Sequence, residues 1–138
     1  MKTPERAIAR EEHQAAVPEG WRPGPFDYQR LDVFRVAREA LGLGHALLRR
    51  LPRGHGKLGD QLGRALLGAY LQVAEAASRS GQDRSCRYRG ARAEASEAAA
   101  AVEAVALLGL APASETERLT LLLGRLCAML TRLSGVGR

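Results

Sequence analysis

The 138-residue sequence predicts an all-α protein, an antiparallel up-down-up-down four-helix bundle preceded by an N-terminal arm. Three observations carry this expectation. Apolar residues make up 46% of the chain but aromatics only 4%. The core must therefore be built from Leu, Ala and Val, and Ala and Leu are strong helix formers. Apolar residues also recur every three or four positions through most of 31–135, the period of a helix with one buried face. Finally, proline and glycine clusters cut that stretch into four segments of roughly 20 residues with short connections, which suits neighbours that run antiparallel.

Residues 1–30 read as the arm and 31–135 as the bundle. The arm holds four of the six prolines, Pro4, Pro18, Pro23 and Pro25, and the only tryptophan, Trp21. Thr3-Pro4-Glu5 has the order of an N-cap, a first-turn proline and a first-turn acid. A short helix over 4–16 is expected there, followed by the irregular VPEGWRPGP.

The first bundle helix is expected over 31–51, ended by Pro52. It buries Val33, Ala37, Ala40, Gly44, Leu47, Leu48 and Leu51, and its opposite face carries Arg35, Arg38 and Arg49. The loop RGHG (53–56) turns the chain. The second helix, over 57–78, has two apolar faces. Leu58, Leu62, Ala65, Leu66, Ala69, Val73 and Ala76 form one; Leu67, Tyr70, Leu71 and Ala74 form the other. A four-helix bundle has no central helix, so the second face predicts a subunit interface. The third helix, over 83–109, is lined by Ala91, Ala95, Ala98, Ala99, Val102, Val105 and Ala106. Such small residues allow close approach but each buries little area. Pro112 forbids its continuation. The fourth helix is expected over 114–135, with Ser114 and Glu117 as a capping box. It buries Leu119, Leu122, Leu123, Leu126, Met129, Leu130 and Leu133, while Arg118, Arg125 and Arg132, seven residues apart, fall nearly on one line.

The chain carries 21 Lys and Arg against 15 Asp and Glu, a formal charge of +6, and only Lys2 and Lys57 are lysines. This balance favours attraction to nucleic acid or other polyanions. Arginine suits phosphate because its planar fork binds two oxygens at once. The two arginine stripes are candidate nucleic-acid contacts. So are Arg89 and Arg92 of GQDRSCRYRGAR (81–92). Within that stretch Asp83 is expected to favour the helix start and to pair with Arg87. Arg84 is expected to meet Glu75, and Tyr88 to face the core. Glu97 is expected to pair with Arg64.

No catalytic constellation emerges. His13, His45 and His55 lack metal-ligand spacing, and Cys86 and Cys127 form no CxxC or Cys/His pattern. The glycine-containing stretches match no phosphate-binding loop, and no nucleophile elbow is present. Glu94 and Glu97 are the nearest approach to paired carboxylates. No enzyme activity, metal or cofactor is expected. No apolar run approaches the roughly 20 residues of a membrane helix, and residues 1–30 contain no apolar signal-peptide core. The expectation is a cytoplasmic protein that does not associate with membranes.

Several motifs fall in a recurrent order: LDVFRVA (31–37), Pro52, LGDQLGRA (58–65), VAEA (73–76), RSCRY (84–88) and ARAEASE (91–97). In this the chain resembles the bacterial four-helix-bundle family of proteins encoded in intervening sequences of ribosomal RNA genes. That family is related to the accessory variability determinants of diversity-generating retroelements. Leu58, Gln61, Leu62, Arg64, Ala65, Val73, Ala74 and Glu75 match the pattern of the family's second helix, with Gln72 for asparagine and Ala76 for glycine. Ala91 and Glu97 match the third, where Ala93 and Glu94 replace a Gly-Ser pair. The resemblance implies a barrel-like homopentamer with a basic surface for RNA or DNA and, for retroelement members, a reverse transcriptase as partner. The alternative function is a protein-interaction scaffold, in which Trp21 and Phe26 are either partner anchors or a cap on the bundle end.

Overall fold

The computed structural model describes residue 22 and residues 24–135. The expected helix over 4–16, His13 and Trp21 lie outside the described residues. After a 3-10 turn, Asp27–Arg30, come four α-helices: α1 (Asp32–Leu48), α2 (Gly56–Ala77), α3 (Gly81–Leu107) and α4 (Ala113–Ser134). Among the described residues there is no strand. The helices pack as α1 on α2, α2 on α3, α3 on α4 and α4 on α1, with no close backbone approach between α1 and α3 or between α2 and α4. This arrangement is that of a four-helix bundle.

The boundaries follow from the breakers, with local shifts. α1 stops at Leu48, three residues before the expected end, because Pro52 disfavours helical backbone at Leu51. The chain tightens there instead, with N–H groups of Arg50 and Leu51 donating to the carbonyls of Leu47 and Leu48. Gly54 and Gly109, in connections, and Gly81, the first residue of α3, take positive φ, as does Gly135 at the end of α4. That left-handed region is inexpensive only for glycine. Two expected starts are corrected. α3 begins at Gly81, with Asp83 in its first turn. α4 begins at Ala113, so Ser114 is inside the first turn and forms no capping box. Pro112, at φ −58° and ψ 138°, launches the helix directly.

One core runs through the bundle, with Val36, Leu62, Val73, Val102, Val105, Leu119, Leu123, Leu126 and Leu130 fully buried. Two residues assigned to it are not there. Leu133 is 44% exposed, because only the very start of α1 lies opposite the last turn of α4. Ala106 is also exposed, near the C-terminal end of α3. Phe34 is buried and links the core to the surface through rings. Tyr28 meets it edge-on at 4.9 Å and Tyr70 at 5.1 Å, and Phe26 stacks on Tyr28 at 5.7 Å. Phe26 itself remains 60% exposed.

Two glycines separate packing from propensity. A Cβ at Gly44 would overlap Cδ1 of Leu66, itself buried and unable to swing aside. A Cβ at Gly124 would meet nothing within 4 Å. Alanine at either site gains up to about 1 kcal/mol of helix propensity, but overpacking costs about 1–3 kcal/mol at Gly44. Urea unfolding should therefore show Gly44→Ala less stable by about 1 kcal/mol and Gly124→Ala more stable by a similar amount. Equal shifts for the two would refute the packing account.

Candidate nucleic-acid interface

The arginines divide into those held within the chain and those left open. Arg118 reaches across to α1, where its guanidinium lies 3.8 Å from Glu39, whose side chain is only 7% exposed. Arg125 is half-buried and, like Arg38, is engaged rather than free. Arg35 pairs with Asp32 at 3.8 Å, and its Nε is buried without a hydrogen-bond partner. The expected line of Arg118, Arg125 and Arg132 is thus not a uniform outward stripe. A seven-residue spacing drifts by about 20° per repeat on a straight helix. What α1 sets beside the two ends of the line also differs, Glu39 beside Arg118 and the first turn of α1 beside Arg132.

The basic start of α3 sorts in the same way. Arg84 does not meet Glu75. Its Nε donates to the carbonyls of Ala76, at 3.2 Å, and Arg79, at 2.7 Å. Ala76 is in the last turn of α2 and Arg79 lies just beyond its end, where a cation is favoured. Glu75 instead takes Arg87 at 3.2 Å, and Asp83 takes Arg79 at 3.2 Å rather than Arg87. Arg64 does approach Glu97, at 4.0 Å. These pairs are substantially exposed, so each contributes little to stability.

Arg49, Arg89, Arg92 and Arg132 remain exposed and have no ion pair among the described residues. Three of them share one end of the bundle. Arg132 lines a cleft of about 240 Å³ together with Leu31, Asp32, Val33, Tyr88, Met129 and Leu133. Arg89 adjoins Tyr88 in sequence, and Arg92 lies one turn further along α3. Arg49 lies just past the other end of α1. Sequence reading missed the cleft. Its only signal was an apolar Leu31 immediately before α1 and a Leu133 in the last turn of α4.

Tyr88 faces the core, 4% exposed. Burial raises its phenol above the usual tyrosine value, an effect opposed by the nearby charge of Arg84. A raised native value means that folding contributes stability below the unfolded value of about 10 and loses it as pH rises through the native one. The urea midpoint should therefore fall above about pH 10, and Tyr88→Phe should lose less stability over that window. An identical decline in both proteins would remove Tyr88 as the cause.

The candidate subunit interface is only partly open. Leu67 and Leu71 are 47% and 49% exposed, one turn apart on α2. Tyr70 packs on Phe34 and belongs to the chain's own core, and Ala74 is half-buried. Among the described residues no group of His, Cys, Asp and Glu is placed to hold a metal ion. No described helix is long and apolar enough to cross a membrane. No protein-family model and no curated protein matches the chain.

Proposed function

We propose that the protein is a non-enzymatic, sequence-tolerant nucleic-acid-binding accessory protein that works as a homo-oligomer. The observation that carries this reading is the set of exposed arginines at one end, Arg89, Arg92 and Arg132, with no ion pair among the described residues. Unpaired guanidinium groups release condensed counterions when they meet phosphates, and that release drives affinity without reading sequence. Among the described residues the aromatic rings other than Phe26 are largely taken up in the core, so their stacking on bases contributes little. The helices follow the up-down-up-down order. Leu67 and Leu71 close the subunit interface, and a homopentamer, as the family resemblance implies, would multiply each basic end around a ring. A reverse transcriptase is the protein partner that the same resemblance suggests.

Binding of labelled duplex DNA and RNA, followed across a salt series, tests the reading. Affinity should fall steeply and linearly on logarithmic axes, and similarly for unrelated sequences. A flat plot would overturn it. Size analysis in solution tests the assembly, with Leu67→Lys and Leu71→Lys expected to release monomers.

A further inference from the structure

The cleft at the basic end is apolar where a phosphate interface has no need to be. Its floor and lips come from Leu31, Val33, Met129, Leu133 and the ring of Tyr88, and Leu31 and Leu133 are 37% and 44% exposed. Its two charged lining residues are unequal. Asp32 is already offset by Arg35 at 3.8 Å, whereas Arg132 has no partner among the described residues. The rim is therefore cationic, and Arg89 and Arg92 extend that charge beyond Tyr88.

Size and charge together narrow the occupant. About 240 Å³ is below the roughly 300–1,000 Å³ of ordinary small-ligand sites. It suits one bulky side chain carried by a chain that continues outside the cleft. Aliphatic walls offer few hydrogen bonds to a base edge. The same end of a second copy would bring like charges against the rim. We propose that the cleft receives one aromatic or branched apolar side chain from an acidic peptide segment of a partner protein, whose carboxylates lie over Arg132, Arg92 and Arg89. An apolar anchor in a pocket, ringed by complementary charge, is the usual form of an interface hot spot. This goes beyond the phosphate interface, which needs the cations but not the cleft.

The test is a titration of the full chain, isotope-labelled for NMR, with the peptide acetyl-DEDFDED-amide. Two control peptides replace its phenylalanine by alanine or its acids by lysine, and a ten-residue oligouridylate is a further arm. The expected result is saturable shifts at Leu31, Val33, Tyr88, Met129 and Leu133. Binding should weaken about tenfold with the alanine peptide and with either Leu133→Ser or Arg132→Gln. Leu133 is exposed enough for its substitution to leave the fold intact, and Arg132→Gln tests the rim independently. Oligouridylate binding should survive Leu133→Ser, which separates failure of this proposal from failure of the phosphate interface. Absence of saturation, equal binding of the alanine peptide, or the same cleft shifts with oligouridylate alone would each overturn it.

Discussion

Replacing Leu123 by alanine should destabilise the protein by about 3 kcal/mol. Leu123 is fully buried in α4, in one cluster with Leu119, Leu126 and Leu130. Removing its isobutyl group forfeits the transfer free energy of the lost methyl groups and leaves a void. How much the void costs depends on whether neighbours can move into it. Here the buried residues of α3 are, apart from Tyr88, Ala91, Ala95, Ala98, Val102 and Val105, short side chains with little reach into a void, so little collapse is available. Urea unfolding of Leu123→Ala against Leu121→Ala checks this, since Leu121 is 75% exposed on the same helix. The exposed change should stay within about 0.5 kcal/mol. A comparable loss at both positions would mean that the outer face of α4 is buried in an assembly.

The second large effect is on binding. Changing Arg89, Arg92 and Arg132 together to glutamine should weaken nucleic-acid affinity roughly a hundredfold at about 0.1 M salt and reduce the salt slope by about 2 to 3. The three groups make no ion pair among the described residues, so their loss leaves no orphaned carboxylate and should not lower the melting temperature. Changing Arg118 should behave oppositely. It leaves Glu39, almost fully buried, without the guanidinium 3.8 Å away. Taking an ion-pair partner from a nearly buried carboxylate costs stability even where it keeps another contact, so Arg118→Gln should reduce stability more than it reduces binding. If all four arginines contributed equally to the salt slope, the division into held and open groups would fail.

Much of the fold was legible because it depends on local properties. The 3.6-residue period placed Leu62, Val73, Leu119, Leu126 and Leu130 on inward faces. Pro52, Gly81, Gly109 and Pro112 marked the connections, since each restricts or frees the backbone whatever surrounds it. Period and neighbours along the chain also indicated that Leu67 and Leu71 lie outside the core and that Arg89 and Arg92 have no partner.

The site was less legible, because charge pairing is decided between helices. The seven-residue spacing of Arg118, Arg125 and Arg132 is a property of α4 alone. Whether each is open depends on what α1 places opposite it: Glu39 beside Arg118, and the first turn of the helix beside Arg132. Likewise Arg84 found the terminal carbonyls of α2 rather than the carboxylate of Glu75. The sequence alone thus determined four helices, their limits to within a few residues, their buried faces and an excess of arginine. Only the tertiary structure decided which arginines of α1 and α4 are held and which are open, and that the ends of α1, α3 and α4 leave an apolar cleft. Periodicity sets the angle of a side chain about its own helix, but the axial offset and length of the neighbouring helix set what that side chain meets.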